Sequence, residues 1–164
     1  MDASAISQII FLIILLILSA FFSSAETALT TVNKIRMRTL ADDGNKRAER
    51  VLRITDDSHK MLSAILIGNN IVNLSASSLA TTLAIKLWGS VGAGIATGIL
   101  TFLILVFGEI SPKTFATLYA DQISIAYSSI IGFLMKILTP VIFLVNQFSM
   151  GFLFLLHVDP KANN

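Results

Sequence analysis

Three long, uncharged and mostly apolar stretches divide the chain. They run from Ala3 to Ala25, from Met61 to Ile85 and from Leu87 to Gly108. A helix needs ~20 apolar residues, at ~1.5 Å of rise each, to cross the hydrocarbon core of a bilayer. We therefore predict three membrane-spanning helices, which together with their polar ends cover residues 4–32, 60–86 and 88–118.

The composition agrees with a membrane protein. The 164 residues are 54% hydrophobic and 13% charged, whereas soluble domains are roughly 25% charged. The first apolar stretch follows Met1 and Asp2 without a basic segment and has no small-residue cleavage site, so we interpret it as a retained helix and not a signal peptide. The absence of cysteine excludes disulfides and thiolate metal sites. The expected fold is therefore an all-α membrane protein.

Basic residues are concentrated in the loop between the first two predicted spans. Eight of the twelve Lys and Arg residues lie between Lys34 and Lys60, and short basic loops stay on the cytoplasmic side. This places loop 33–59 and the carboxyl terminus in the cytoplasm and the amino terminus outside. Because the charge is local, it indicates a membrane surface and not nucleic acid. Helix-forming composition with a break at 42–45 predicts two short helices in the loop.

The last part of the chain, 122–157, is the ambiguous one. Lys136 and Pro140 divide it into apolar pieces that are short for a span. Residues 137–158 could just cross if Pro140 lay in the first helical turn. We favour a broken amphipathic hairpin in or near the inner leaflet, which forms a juxtamembrane helical segment. With no internal repeat and no linker, residues 1–164 are expected to form a single transmembrane domain.

Polar residues interrupt the three spans at similar depths. Ser23 lies eleven residues from Lys34, Asn69 nine from Lys60, and Glu109 twelve from Asp121. In helices, these spacings place all three residues roughly 14 to 18 Å from the cytoplasmic boundary. An ionisable group at that depth indicates function. Lys113 lies in the same region, so its charge must pair with an acid, snorkel to the interface or line a wet cavity.

A proline gives the third span an additional oxygen ligand. Pro112 has no N–H, so the carbonyl of Gly108, four residues earlier, loses its helical partner beside Glu109. The candidate ligands are therefore this carbonyl, the carboxylate of Glu109, the amide oxygen of Asn69 and a hydroxyl of Ser23 or Ser24. All of them are oxygen atoms. Such a set suits a hard cation, namely magnesium, calcium, sodium or a proton, and disfavours copper and zinc.

Other polar residues near these positions have ordinary structural explanations. Ser24, Asn70 and Asn73 are each more typical of hydrogen bonds between membrane helices than of ion ligands. Glu26 stands closer to the inner face and either pairs with Lys34 or Arg36 or adds a second carboxylate. These four residues form a second group of candidates.

Three motifs carry a family resemblance. Residues 21–29 read Phe-Phe-Ser-Ser-Ala-Glu-Thr-Ala-Leu, residues 67–73 read Ile-Gly-Asn-Asn-Ile-Val-Asn, and residues 107–113 read Phe-Gly-Glu-Ile-Ser-Pro-Lys. In this order and spacing the chain resembles the transmembrane domain of the bacterial CorC and animal cyclin M (CNNM) magnesium-transport family, the domain of unknown function 21 type. The resemblance covers nearly the whole chain.

The resemblance implies a homodimer of three-span protomers with a juxtamembrane helical belt. It implies magnesium export, proposed to be coupled to sodium, and magnesium ligands at Ser23, Asn69, Gly108 and Glu109, with Ser24 and Asn73 as neighbours. Family members continue into cytoplasmic CBS domains, which bind ATP, and a further carboxy-terminal domain. Neither follows in this sequence, so we expect it to represent the transmembrane part.

Two functional classes remain open. The first is an ion transporter with a magnesium site at mid-membrane. The second is a membrane anchor and dimerisation module with a structural or sensory divalent-cation site. An intramembrane hydrolase would need a nucleophile and a base. The predicted spans contain no histidine, and no lysine lies at their midpoints. We therefore expect no enzymatic activity.

Overall fold

The computed structural model describes residues 3–158, and this part of the chain is helical with short connections. It contains eight α-helices and one π-helical segment, Ile104–Ile110, which joins the fifth helix to the sixth. The α-helices are α1 (Ala3–Thr31), α2 (Lys34–Asp42), α3 (Lys46–Asp56), α4 (Ser58–Trp88), α5 (Val91–Leu103), α6 (Ser111–Leu118), α7 (Ala120–Ile137) and α8 (Thr139–Leu155).

Three helical stretches are long and apolar enough to cross a membrane. They are α1, α4, and the continuous run Val91–Leu118 formed by α5, the π-helical segment and α6. Their ends lie within three residues of the predicted spans, which confirms the all-α membrane fold. Gly89 ends α4 with a φ of 76°, a conformation that glycine adopts readily, and this lets the chain reverse direction into α5.

The basic loop forms two short helices, α2 and α3, as predicted. They are separated at Gly44, whose φ of 97° is accessible to glycine without strain. The side chain of Asn45 then accepts hydrogen bonds from the N–H groups of Arg47 and Ala48, a typical helix N-cap. Ala48 and Val51 are fully buried, because α3 packs against α2 and α7.

The last two helices form a bent pair. α7 and α8 meet at Leu138 with a bend of 65°, close to the predicted division at Lys136 and Pro140. α7 packs against α1 and α3 and buries Ile131 and Met135. α8 buries Ile142 alone among its residues, which leaves most of its apolar side chains for lipid. Whether the pair lies in the inner leaflet or crosses it stays a prediction.

α1 is the central helix of the fold. It contacts α4, the π-helical segment, α6 and α7. Its inner faces are lined by small residues such as Ala25 and Ala28, both fully buried, which allow helices to approach closely. Large side chains on the outward sides of the three spans are more than half exposed, as expected where lipid covers the surface. Examples are Ile17 on α1, Leu74 on α4 and Phe102 on α5. The other two spans therefore both pack on α1.

Candidate cation site

Two serine hydroxyls on α1 lie buried without a hydrogen-bond partner. Ser19 and Ser23 are each 1% exposed, and neither Oγ has a partner within the described residues 3–158. They are four residues apart and therefore lie on the same face of the helix. An unpaired buried hydroxyl costs roughly 1–3 kcal/mol. Two of them on one face indicate a place where oxygen ligands are available.

Ser24 differs from its neighbour. Its Oγ donates to the carbonyl oxygens of Ala20 at 2.8 Å and Phe21 at 3.0 Å. Such bonds to the preceding turn are how serine hydroxyls are usually satisfied in membrane helices. The sequence left the choice between Ser23 and Ser24 open, and the structure gives the unpaired hydroxyl to Ser23.

The third span changes its helical form at the predicted site. It widens into the π-helical segment that contains Gly108 and Glu109, and the N–H of Ser111 donates to the carbonyl of Val106, five residues back. The carbonyl that was predicted to lose its helical partner, at Gly108, therefore lies in a π-helical part of a continuous span. Pro112, in the first turn of α6, still cannot donate to Gly108. Short π-helical segments occur frequently at functional sites.

Gly108 lies directly against α1. A Cβ at this position would lie 2.9 Å from the Oγ of Ser19, closer than real side chains approach. Glycine therefore allows the π-helical backbone to reach the serine face of α1. Ser19 was not among the predicted site residues. Its signal was present, because Ser19 precedes Ser23 by one helical turn.

A second close approach brings α4 to the same part of α1. A Cβ on Gly68 would lie 2.5 Å from Cζ of Phe22, so the ring of Phe22 packs directly on the α4 backbone. Phe22 precedes Ser23 and Gly68 precedes Asn69. The contact therefore places Asn69 and Ser23 on adjoining turns of two packed helices.

The α4 asparagines form a pair. Nδ2 of Asn73 donates to Oδ1 of Asn69 at 3.5 Å, a long and weak bond. Oδ1 of Asn73 is buried without a partner in residues 3–158, so a further amide oxygen is available one turn from Asn69. Asn70 is exposed on another face of α4, away from the other two.

Glu109 is partly buried and already has a charge partner. Its side chain is 25% exposed, and Oε2 lies 3.5 Å from Nζ of Lys113, one helical turn later. Of the three possibilities for Lys113, the structure shows pairing with an acid. No hydrogen bond joins Glu109 to Ser23 or Asn69 in the described part of the chain.

Glu26 is half-buried just after the serine face. Of the two alternatives for this residue, the pairing with Lys34 or Arg36 is not formed: Arg36 contacts Asp121 instead, with Nη1 3.5 Å from Oδ2. The other oxygen of Asp121 accepts the N–H of Asn33 at 3.0 Å. This link ties the start of α2 to α7 and leaves Glu26 outside any ion pair in residues 3–158.

The donor set fits a hard cation with water in its shell. Within residues 3–158, no three His, Cys, Asp or Glu side chains come together, so the arrangement offers one carboxylate with neutral hydroxyl, amide and carbonyl oxygens. Unpaired oxygens at Ser19, Ser23 and Asn73 show that the neutral donors are not consumed by internal hydrogen bonds. Magnesium and calcium both take such ligands.

The fold is thus a three-span, all-α membrane domain that carries oxygen donors in each of its spans. A sequence model of the cyclin M transmembrane N-terminal domain matches residues 10–164. The chain belongs to this family.

Curated relatives carry the same domain. The chain is 46% identical over 150 residues to a UPF0053 protein of Haemophilus influenzae, covering 91% of this chain and 36% of the relative. It is 41% identical over 129 residues to a UPF0053 inner membrane protein of Escherichia coli, covering 79% and 30%. It is 39% identical over 156 residues to a chloroplast DUF21 domain-containing protein of Arabidopsis thaliana, covering 94% and 24%. The chain thus spans about a quarter to a third of these relatives.

Proposed function

We propose that this domain binds Mg²⁺ at mid-membrane and exports it across the inner membrane in exchange for Na⁺. The observation that supports this most is the close packing of the other two spans on neighbouring turns of α1, at Gly108 and Gly68, next to Glu109 and Asn69. The proposed ligands are Ser23, Asn69, the carbonyl of Gly108 and Glu109. Ser19 and Asn73 lie near enough in the helices to complete or support the set.

The proposed ion has strict coordination requirements. Mg²⁺ prefers near-octahedral oxygen at ~2.0–2.1 Å and gives up water reluctantly. Four protein oxygens and two waters would complete an octahedron. Since one carboxylate leaves a net positive charge on a divalent ion, the affinity should be moderate, which suits an ion that must be released.

Binding requires a rearrangement at Glu109. The carboxylate faces Lys113, and an ammonium and a divalent cation repel each other strongly at short range. Lys113 must therefore move away when the ion enters. Its side chain is 44% exposed, so it has room to do so. The site would then have two states: one in which Glu109 pairs with Lys113, and one in which Glu109 binds the ion.

We propose that the domain works as a homodimer in lipid, with its amino terminus outside and its carboxyl terminus in the cytoplasm. The exposed amide of Asn70, at mid-span on α4, supports a second surface, because an uncovered polar group in the hydrocarbon core is costly. Crosslinking or mass measurement in mild detergent should give twice the protomer mass. A protomer mass alone would contradict the dimer.

A flux experiment tests transport. The chain is reconstituted in liposomes with a magnesium-sensitive dye and followed with and without a Na⁺ gradient. We expect flux that the gradient accelerates and that Glu109→Gln abolishes. The matched control is Glu49→Gln, an exposed carboxylate on α3, which should retain the flux.

The second candidate is a membrane anchor with a resident or sensory cation. The Glu109 and Lys113 pair is compatible with a sensory site, because the carboxylate has a charge partner in the state that precedes cation binding. In the same liposomes, saturable Mg²⁺ binding without flux under any Na⁺ gradient would support the anchor and contradict the transporter.

A further inference from the structure

A cavity of about 550 Å³ lies at the basic end of the spans, away from the cation site. It is open to the surface and bounded by α3, the beginning of α4 and the second half of α7. Its charged walls come from Arg50, Arg53 and Lys60, which lie close together in the sequence, and from the distant Lys136. The fold therefore assembles a basic cavity from three separate helices.

The positive charge of this cavity is not compensated internally. None of the four cations belongs to an ion pair among residues 3–158. Asp57 is the single acid in the lining, and its Oδ1 accepts the N–H of Lys60 at the start of α4 at 3.4 Å. Four cations facing one carboxylate repel one another, so an anionic ligand would be stabilised here.

The remaining walls of the cavity are apolar. Ile54 and Met135 are buried in its floor, and Phe133 is 62% exposed at its edge. α3 and α7 meet closely at the bottom, where a Cβ on Gly132 would stand in ordinary contact with Cγ2 of Ile54 at 3.6 Å. A cationic rim above an apolar wall matches an amphiphilic ligand better than a water-soluble anion.

The position of the cavity fits the level of lipid headgroups. Lys60 lies in the first turn of α4, and Lys136 lies in the last turn of α7, just before the bend to α8. Both residues therefore mark ends of apolar helices, where hydrocarbon gives way to the polar interface. Basic pockets at that level attract anionic headgroups.

We propose that this cavity binds the phosphate headgroup of an anionic phospholipid, with an acyl chain lying along α7 at Phe133. The phosphate interacts with Arg53 and Lys136 at the rim and with Arg50 and Lys60 behind them. The cavity shares no residue with the cation site, so this proposal stands whether or not the domain transports Mg²⁺.

Native mass spectrometry of the delipidated chain in detergent tests the ligand class. The probes are phosphatidylglycerol, phosphatidylcholine with the same acyl chains, and inorganic phosphate. We expect phosphatidylglycerol to bind about tenfold or more tightly than phosphatidylcholine, and millimolar phosphate not to displace it. Equal binding of the two lipids would overturn the proposal. Displacement by phosphate would also overturn it, since the cavity would then be a site for free anions.

Matched variants locate the binding. Arg53→Gln/Lys136→Gln removes two charges from the rim, and Lys46→Gln/Arg47→Gln removes two from α3 outside the cavity. Retention of phosphatidylglycerol should fall about tenfold in the first and less than about twofold in the second. Equal losses would mean that general surface charge attracts the lipid, which contradicts a built site.

A second double variant keeps the test informative if the first one does not fold. Arg50→Gln/Lys60→Gln removes the two inner cations and should weaken retention as the rim variant does. Helical circular dichroism and the thermal unfolding temperature identify folded variants. If either folded double variant kept the parent's affinity for phosphatidylglycerol, the cavity would not be the site.

Discussion

Nζ of Lys113 lies 3.5 Å from Oε2 of Glu109, one helical turn earlier in the third span. The residue that should attract a cation therefore already holds one, tethered to the same helix. Binding of an external ion is then a competition at a single carboxylate. The contributions of the acid and of the lysine to Mg²⁺ affinity can therefore be measured separately, with one variant of each residue.

Glu109→Gln should abolish Mg²⁺ binding while the domain stays folded. Glutamine keeps the size and one oxygen but removes the charge, and Coulomb attraction between partly buried charges reaches several kcal/mol. Affinity should fall about a hundredfold or more, since ~1.4 kcal/mol is a factor of ten. Titration calorimetry measures it, with Glu49→Gln as control. Parental affinity in Glu109→Gln would place the site elsewhere, and Glu26 would be tested next.

Lys113→Gln should raise Mg²⁺ affinity about three- to tenfold, because the ion no longer competes with the ammonium. The gain stays small, since the lysine is partly exposed and its pairing with the carboxylate is screened by solvent. The same titration measures it. A loss of affinity would mean that Lys113 holds Glu109 in its binding position and does not compete with the ion.

Gly108→Ala should destabilise the contact between the π-helical segment and α1. The new Cβ would lie 2.9 Å from Oγ of Ser19 but 3.5 Å from its Cβ. Overpacking of this kind costs ~1–3 kcal/mol. The double variant Gly108→Ala/Ser19→Ala should recover most of the loss in thermal unfolding, since it removes the clashing oxygen. No recovery would show that the clash involves other atoms.

Ser23→Ala and Ser24→Ala form a matched pair. Removing the unpaired hydroxyl of Ser23 should weaken Mg²⁺ binding about three- to tenfold, as expected for one neutral ligand. It should not lower the thermal unfolding temperature, because no internal hydrogen bond is lost. Ser24→Ala, whose hydroxyl bonds its own helix, should change affinity less than about twofold. Equal effects on affinity would contradict the assignment of Ser23.

Single cysteines test the topology. The chain has none, so Arg47→Cys on α3 and Ser90→Cys in the turn after α4 can be labelled without background. An impermeant thiol reagent should reach them from opposite sides of the membrane. Labelling of both from one side would contradict the arrangement of α4 as a complete crossing.

The sequence alone determined the number and limits of the spans. Long uncharged stretches fix these because the cost of exposing backbone and charge to hydrocarbon depends on local composition and length. The two loop helices followed from local signals as well, including the break at Gly44. The oxygen donors at Ser23, Asn69 and Glu109 were predicted from helical spacing to one depth.

The tertiary structure decided which helix faces touch. The π-helical segment, the packing of Gly108 on Ser19 and the pairing of Glu109 with Lys113 depend on contacts between chain segments or on a choice among nearly equal local partners. The basic cavity likewise joins Arg53 to Lys136 across 83 positions of the sequence. Periodicity gives the face of each helix, but only packing against α1 decides which face meets which.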